Sequence, residues 1–551
     1  MGGALQRRRR RTRDLRWSIA STSKRKRFCQ QDGNGDNQAG KIIIISSIPD
    51  LPLKRKGLPC REDGKTMRSS IPDLSVKRKG LPCQEDDNDD IQTGKILTSS
   101  IPDLPEDILF RIHSLMPMRE AARAACLSRF FLNSWRCHSN LIFNKDTIGL
   151  KRTSRGENFH QKIDRILRNH VRIGLKTFKL DYGGMCGFDG TSYLDRWLQF
   201  ALKPGIEELT LVLAETKRIY NFPCSHLSDG VRNSLRYLKL RHCALHLTVE
   251  LGPLRSLTSL HLWFVSITWD ELECLLSNSP TLEQLYLNHC IEIRSMKLPS
   301  TLQRLSSLVV IDCLSLKVIE SKAPNLSSLY VRGHWVDFSR VETLQMRKLD
   351  VGQQNLVRDA RAKLPSIMPN LETLVIESRC EVVDVPMLPT TFLYLKHLSI
   401  ETAFGFSTPQ YDYLSLVSFL DAAPALETLI LQTLLLRMCN KSIFVDPQLR
   451  HMPERRHGSL KSVKISRFNI EKSLVELICY ILKNAVSLEH LTLDPIYGDR
   501  CYHGKYEHCA PIMMEARRGL LAIRTYVEKE VPSTVELTVL EPCSHCHAIG
   551  Y

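Results

Sequence analysis

A short pattern of leucines recurs along the chain and limits what the chain can fold into. Its form is Leu-x-x-Leu-x-Leu-x-x followed by Cys or another apolar residue. Clear copies start 21 to 25 residues apart, at Leu235, Leu257, Leu282, Leu305 and Leu326. Weaker copies start at Leu175, Ile206, Val341, Leu371, Leu395, Leu426, Leu460 and Leu488. One such unit cannot bury its own apolar face, so neighbouring units must stack and share a core.

The period and the template are those of leucine-rich repeats. In that architecture each unit contributes one strand whose leucines point inward, and a turn and a helix return the chain. We therefore predict an α/β fold class with a leucine-rich-repeat solenoid (a horseshoe) over residues 170–458. Cys243, Cys290 and Cys313 occupy equivalent positions after their strands, and we interpret them as packing residues because a small thiol suits that buried turn.

The side chains between the inward leucines are expected to face outward on the concave sheet. They are rich in aromatic residues and arginine, the composition that favours protein binding. For any single residue an ordinary mixed surface is the simpler interpretation, and only the array as a whole supports binding. The candidates for contact with a target protein are Tyr237, Arg241, His261, Trp263, Tyr286, Tyr330 and Arg332.

Residues 99–143, ahead of the repeats, predict three short helices. Asp103 is suited to cap the first helix and Pro105 to its first turn. Apolar residues then recur at helical spacing until Pro117 ends the helix. Three helices in so short a stretch make a very small core, and the apolar surface that is left over favours a partner.

This stretch resembles the F-box, the module that docks a substrate receptor onto the adaptor of a Skp–cullin–F-box ubiquitin ligase. The matching features include the Leu-Pro opening, the "MPMRE" turn, the "CLSR" segment and Trp135, while Leu127 and Phe131 depart from the usual residues. The resemblance implies adaptor contacts by Leu104, Pro105, Ile108, Leu109, Ile112, Leu115, Pro117 and Met118. The alternative is a plain three-helix cap on the repeat array.

Residues 1–98 predict a disordered basic arm. The sequence SSIPDL occurs at 46–51, 69–74 and 99–104, and residues 24–51 align without a gap to 77–104, which indicates a duplicated linker. The composition offers little to bury. Only the third SSIPDL is followed by an apolar helical pattern, so we interpret the first two as remnants without a domain behind them.

Charge and cysteine usage bear on where the protein acts. The formal net charge is +17, and basic runs at 7–13 and 24–27 supply a good part of it. Such runs are typical of nuclear import signals or phosphate contacts, although a solvated arm or a mitochondrial transit peptide is also compatible with them. Eighteen cysteines without a secretory signal favour reduced thiols. We expect the protein in the nucleus and/or cytoplasm.

Residues 459–551 are expected to cap the last repeat. Residues 459–495 read as strand, amphipathic helix and strand, and they resemble the FBD-type region of plant F-box proteins, with a tail like that of grass members of this F-box/leucine-rich-repeat family. "CYHGKYEHC" (501–509) and "CSHCH" (543–547) raise zinc and haem as possibilities. Their irregular spacing favours free thiols, so we expect no metal and no cofactor.

No nucleophile elbow or phosphate-binding glycine loop is found in the sequence. The resemblance implies a non-catalytic substrate receptor whose partners are a Skp-type adaptor, a cullin scaffold and an unidentified target protein. We expect neither membrane association nor nucleic-acid binding. A repeat scaffold without a ligase role is the alternative, and nucleic-acid binding through the basic arm is a third hypothesis.

Overall fold

The computed structural model describes most of the chain beyond the basic arm. The described residues are 105–127, 129–149, 157–171, 174–182, 191–216, 218–247, 252–341, 344–379, 390–403, 411–433, 442–496 and 510–541. All of them fall within one compact unit, Leu97–Tyr551. The predicted arm and the two Cys/His segments lie outside the described residues.

Twenty strands are found within the described residues. In chain order they are β1 (Asn140–Phe143), β2 (Thr177–Asp181), β3 (Glu208–Val212), β4 (Tyr220–Asn221), β5 (Tyr237–Arg241), β6 (Cys243–Ala244), β7 (Ser259–Trp263), β8 (Gln284–Asn288), β9 (Ser295–Leu298), β10 (Ser307–Ile311), β11 (Val318–Ser321), β12 (Ser328–Arg332), β13 (Asp337–Val341), β14 (Lys348–Gln354), β15 (Thr373–Arg379), β16 (His397–Ala403), β17 (Thr428–Thr433), β18 (Ser462–Ser466), β19 (His490–Asp494) and β20 (Glu536–Val539).

Fifteen of these strands form one sheet in which each described pairing is parallel. Its order is β1-β2-β3-β5-β7-β8-β10-β12-β14-β15-β16-β17-β18-β19-β20, which follows the chain. Two small sheets lie beside it, β13-β11-β9 and β4-β6. This long parallel sheet confirms the predicted leucine-rich-repeat solenoid.

The inward leucines of neighbouring strands are paired in register. Leu238, Leu260, Leu285, Leu308 and Leu329 face one another in turn along the sheet. Each is no more than 1% exposed. Burying such a side chain fully stabilises the fold by about 1.5–3 kcal/mol. The core is therefore one continuous column shared by successive repeats, as the leucine pattern predicts.

Twelve α-helices are described. They are α1 (Glu106–Leu115), α2 (Met118–Ala124), α3 (Arg129–Arg136), α4 (Lys145–Ile148), α5 (Glu157–Asn169), α6 (Thr191–Ala201), α7 (Asp229–Arg232), α8 (Trp269–Ser277), α9 (Leu356–Ile367), α10 (Val417–Ala422), α11 (Lys472–Asn484) and α12 (Ala510–Ala522). Short 3-10 or π turns cover Cys224–His226, Tyr413–Leu416, Ile523–Val527 and Glu528–Glu530. None of the described helices is both long enough and apolar enough to cross a bilayer.

The return segments in the middle of the array differ from the expected turn and helix. Residues 264–283 carry α8, whereas the shorter segments 289–306, 312–327 and 333–347 carry the strands β9, β11 and β13. An extended chain advances about 3.3 Å per residue and a helix only about 1.5 Å. A shorter return can therefore close the repeat only when it is extended.

The repeat that follows Leu326 begins at Met346, and the predicted start at Val341 is wrong. Val341 ends β13, and Leu344 is 71% exposed. Met346 is buried, and Leu349 pairs with Leu329 in the main sheet. A methionine fills the position that leucine occupies in the other repeats, because its flexible apolar side chain fits the same space.

The helices α1–α3 are joined to the sheet through buried histidines. His113 Nε2 donates to the carbonyl of Ala121 (3.1 Å), and His138 Nε2 donates to that of Met116 (3.4 Å). His138 Nδ1 accepts from the backbone N–H of Asn140, the first residue of β1 (3.2 Å). Burial lowers the pKa of both imidazoles below their usual value of 6.5.

The strand–helix–strand order predicted for residues 459–495 is found as β18, α11 and β19. These strands continue the main sheet without a break at residue 459. Inside α11, Glu476 is buried, and its Oε2 lies 2.6 Å from Arg450 Nη2. Arg450 also contacts Asp412 at 2.7 Å, so two ion pairs tie α11 to the preceding repeats.

Leu308→Ala is expected to lower the free energy of unfolding by about 2–5 kcal/mol, because it opens a cavity in the centre of the leucine column. Urea unfolding followed by circular dichroism measures the change. Leu344→Ala is the matched control, since this exposed leucine belongs to the register that the structure rejects. A loss of similar size in both variants would contradict the corrected register.

Acid is expected to loosen α1–α3. Burial holds the pKa values of His113 and His138 below 6.5 in the folded chain. As the pH falls, the unfolded chain therefore binds more protons than the folded chain does. Stability is therefore lost as the pH drops below about 6.5. Hydrogen exchange of residues 106–136, corrected for intrinsic rates, should be faster at pH 5.5 than at pH 7.5.

The double variant His113→Gln, His138→Gln keeps hydrogen-bond donors but cannot take up protons in this range. It is expected to reduce the acid sensitivity of residues 106–136. His490→Gln, a change at an exposed histidine of the main sheet, serves as the control and should leave that sensitivity intact. If the wild type, the double variant and His490→Gln respond equally to acid, the imidazoles of His113 and His138 do not control the loosening of α1–α3.

Candidate protein-binding surfaces

Helix α1 presents a row of exposed apolar side chains. Ile108, Ile112 and Leu115 are 42%, 45% and 77% exposed. Their spacing places them on one side of the helix. Pro105 and Pro117, which flank α1, are exposed as well. We call Ile108, Ile112 and Leu115 the α1 face; water reaches all three, so a partner gains apolar area by covering them.

Three of the predicted adaptor-contact residues stand apart from the α1 face. Leu104 lies outside the described residues, and Leu109 is described only as part of the α1 backbone. Met118 is 6% exposed, and its sulfur accepts a hydrogen bond from the backbone N–H of Ile142 (3.1 Å). Met118 starts α2 and packs onto β1, where it holds the helices to the sheet; its adaptor contact stays a prediction.

The outward-facing side of the main sheet, called here the open face, carries the other predicted site. Its middle row consists of Lys239, His261, Tyr286, Val309 and Tyr330, which the register places directly opposite one another on β5, β7, β8, β10 and β12. Neighbouring parallel strands are about 4.8 Å apart. Side chains of the same row must therefore pack against each other, and each of these five is half-buried.

Four rings on the open face form a continuous cluster. The centroids of Tyr237 and His261 are 5.1 Å apart, and those of His261 and Tyr286 are 5.2 Å apart. Trp263 stacks on Tyr286 at 5.2 Å. We call these four residues the ring cluster. Aromatic pairs at such distances contribute about 0.5–1.5 kcal/mol each beyond their buried area, so the rings form a preorganised apolar surface.

Two cations lie against the ring cluster. Lys239 Nζ is 4.5 Å from the centroid of the Trp263 ring, and the Arg241 guanidinium is 5.8 Å from it. Within the described part of the chain neither cation forms an ion pair with an acidic side chain. Burial, helped by Lys239, lowers the pKa of His261 to about 4, so this imidazole is neutral at pH 7. The positive charge of the cluster therefore resides on Lys239 and Arg241.

Arg332, another predicted target-contact residue, is held by side chains of its own chain. Its side chain is only 18% exposed, and it lies 2.5 Å from Asp350 and 3.1 Å from Glu377. The guanidinium lies over the Tyr330 ring at 5.3 Å. We call the arginine and its two acidic partners the Arg332 clamp. Two groups of predicted target-contact residues therefore differ in their surroundings: those in and beside the ring cluster, and Arg332, which two carboxylates hold in the clamp.

Gly352 makes the Arg332 clamp possible. The register places Arg332, Gly352 and Glu377 in line on three consecutive strands of the sheet. A Cβ at residue 352 would lie 2.7 Å from Arg332 Nη1, so a side chain there would displace the guanidinium. Asp350, Gly352 and Glu377 do not stand out in the sequence as site residues. The signal was a glycine opposite an arginine, which becomes visible only once the repeat register is corrected.

No group of three or more His, Cys, Asp or Glu side chains within the described ranges is arranged to hold a metal ion. The Cys/His segments 501–509 and 543–547 remain outside those ranges. Cys243, Cys290 and Cys313 are buried behind the strand ends, at 5% exposure or less, where the repeat pattern places packing residues.

Two family models match the sequence. The F-box domain model covers residues 101–143. The model described as At1g61320/AtMIF1, LRR domain, covers residues 166–544, which is more than half of the chain. The first match contains α1–α3, and the second contains the strands that carry the ring cluster and the Arg332 clamp.

Curated relatives from Arabidopsis thaliana are similar to most of the chain. The FBD-associated F-box protein At5g53635 is 26% identical over 425 residues, which cover 72% of this chain and 95% of the relative. The FBD-associated F-box protein At1g66310 is 25% identical and the F-box/FBD/LRR-repeat protein At1g78750 is 24% identical; each match covers 71% of this chain and 89% of the relative. The chain therefore belongs to the plant F-box proteins with leucine-rich repeats, the family that includes F-box/FBD/LRR-repeat proteins.

Proposed function

We propose that the protein is a substrate-recognition subunit of a Skp–cullin–F-box ubiquitin ligase. The observation that supports this most directly is the α1 face, where apolar side chains stay exposed inside the segment that matches the F-box model. An F-box implies a Skp-type adaptor as partner, and leucine-rich repeats imply a protein target. The adaptor then connects the chain to a cullin scaffold.

The proposed mechanism is proximity. The α1 face binds the adaptor while the open face of the repeats holds the target. A target held beside a ubiquitin-charged enzyme meets it at a high effective concentration, which speeds transfer without any chemistry by this chain. Both matched families are binding modules, so we assign the transfer step to other subunits and the protein itself to the non-catalytic class.

A repeat scaffold without a ligase role is the second candidate. The structure offers one observation in its favour, because β1 pairs with β2 and Met118 is buried against β1, so α1–α3 are continuous with the repeat array. Helices that only protect the first repeat need these same contacts. The exposure of the α1 face favours the ligase role, since a simple cap would gain nothing from it.

The triple variant Ile108→Ala, Ile112→Ala, Leu115→Ala is expected to weaken adaptor binding at least about tenfold, because it removes the apolar anchors of the α1 face. Isothermal titration calorimetry of the full chain against a purified plant Skp-type adaptor measures the change. The control is Ile219→Ala, a change at an isoleucine that is 62% exposed in the repeats.

The two candidates give different results in this titration. If the wild-type chain releases or absorbs no heat with the adaptor, the ligase role is rejected and the scaffold remains. If the control weakens binding as much as the triple variant does, the α1 face is not the docking site.

We further propose that the protein acts in the nucleus and/or cytoplasm, supported by the basic runs at 7–13 and 24–27. A fluorescent fusion of the full chain is expected in the nucleus, and replacing the basic residues of both runs by Ala should shift it to the cytoplasm. Replacing the basic residues at 54–56 and 77–79 instead is the control. Mitochondrial fluorescence of the wild-type fusion would contradict the proposal.

A further inference from the structure

A second row of side chains borders the open face, at the carboxyl ends of the strands. The residue directly after each of β5, β7, β8, β10 and β12 has a left-handed backbone. These residues are His242 (φ 55°), Phe264 (φ 52°), His289 (φ 52°), Asp312 (φ 48°) and Gly333 (φ 120°). We call His242, Phe264, His289 and Asp312 the rim row. Left-handed conformations are uncommon for residues other than glycine and indicate a local constraint.

Hydrogen bonds between repeats hold the rim row in place. The backbone N–H of His242 donates to the carbonyl of Trp263 (3.1 Å), and that of Phe264 donates to the carbonyl of Asn288 (2.7 Å). The N–H of His289 donates to the carbonyl of Ile311 (2.9 Å). The left-handed turn lets each rim residue continue the ladder of bonds one residue beyond its strand.

The rings of the rim row stack on one another. His242 and Phe264 have centroids 4.6 Å apart with an angle of 21° between their planes, and Phe264 and His289 are 4.2 Å apart at 18°. Phe264 is 37% exposed. The rim row thus adds a stacked aromatic surface outside the core. The leucine column is buried without it.

Arg241 connects the rim row with the ring cluster. Its guanidinium lies 5.7 Å from the Phe264 ring and 5.8 Å from the Trp263 ring. Lys239 contacts the ring cluster through the same Trp263 ring. The two rows and the two cations therefore form one surface, in which positive charge is surrounded by rings.

Several acidic side chains near this surface already have partners of their own. Glu208 lies 2.8 Å from Lys179, Glu207 lies 3.1 Å from Lys176, and Asp312 lies 3.8 Å from His289. Among the described residues no ion pair joins a carboxylate to Lys239 or Arg241, and Asp181 is the acidic side chain whose charge acts on Lys239. Their charge is available to a ligand, and burial against rings strengthens the attraction of an incoming anion because screening by water is weaker there.

Apolar side chains extend this surface along the same edge. Ile291, Leu314 and Trp335 each lie three residues after the end of their strand, in three consecutive repeats. They are 55%, 48% and 61% exposed. Exposed apolar residues that recur at one position of a repeat form a strip, whereas scattered ones do not.

We propose that this surface binds an acidic, aromatic-containing peptide segment of the target protein. In this arrangement a carboxylate of the segment lies between Lys239 and Arg241. The apolar side chains of the segment cover Phe264 and the strip formed by Ile291, Leu314 and Trp335. The inference rests on the proposed role of the repeats in holding a target, and it adds the chemistry of the segment that they hold.

Single-stranded RNA also combines negative charge with rings, but the neighbouring open face disfavours it. Asp350 and Glu377 place two carboxylates on this part of the face, where both contact Arg332. A continuous phosphate backbone that followed the sheet would meet these carboxylates, whereas a short peptide with one or two acidic residues can avoid them.

The test begins with a displayed library of random twelve-residue peptides selected against the full chain. We expect the enriched peptides to combine Asp or Glu with aromatic or large aliphatic residues. One enriched peptide is then synthesised with a fluorophore, and its affinity for the full chain is measured by anisotropy. Salt should weaken this binding, since the carboxylate contacts are electrostatic.

Matched variants locate the binding. Lys239→Glu combined with Arg241→Glu should weaken binding at least tenfold, and Phe264→Ala should weaken it severalfold. Lys464→Glu changes a lysine at the same middle position of β18, and Ile430→Ala changes an open-face residue that is also 37% exposed. Both controls should stay within twofold of wild type. Circular dichroism confirms that each variant is folded.

Several results would overturn the inference. They are the absence of any enriched peptide, enrichment of neutral or basic peptides, full affinity of the Lys239→Glu, Arg241→Glu variant, and displacement of the peptide by single-stranded RNA. Each of them leaves the adaptor titration unaffected. A chain that still binds the adaptor keeps its proposed ligase role and loses only the acidic segment.

Discussion

The parallel column of leucines is the constraint on which the rest of the structure depends. Leu238, Leu260, Leu285 and their neighbours are buried in exact register, and side chains alternate along a strand. Once the leucines face inward, the residues between them must form straight rows on the opposite side. The stacking of His261 on Tyr286 and the alignment of Arg332 with Glu377 are consequences of that register. Without it, residues from different repeats would have no fixed neighbours.

Much of the fold could be predicted from the sequence, because a leucine at every second position reports directly on burial. The failures have physical causes. Met346 replaces the expected leucine, so the pattern pointed to Val341, and the length of the return segments decides between strand and helix. Of the predicted target-contact residues, Arg332 could not be interpreted alone, since its partners Asp350 and Glu377 lie on two later strands.

The segment matched to the F-box combines two kinds of contact on different sides of its helices. Met118 and His138 face the chain itself and fasten the helices to β1, while Ile112 and Leu115 face water. The sequence shows apolar residues in both groups but does not show which side each one takes. The position of β1 decides which side of each helix is buried, and the spacing of apolar residues along the helices does not reveal that position. Capping the array and docking a partner are therefore compatible within one small unit.

The Arg332 clamp also bears on how such an array can change during evolution. Its arginine, the glycine that leaves room for it, and the second carboxylate come from three successive repeats and must stay in consecutive order. Unequal recombination that removed or inserted a repeat between Arg332 and Glu377 would leave a charged side chain without its ion-pair partner. The clamp therefore marks a point where this array resists changes in length.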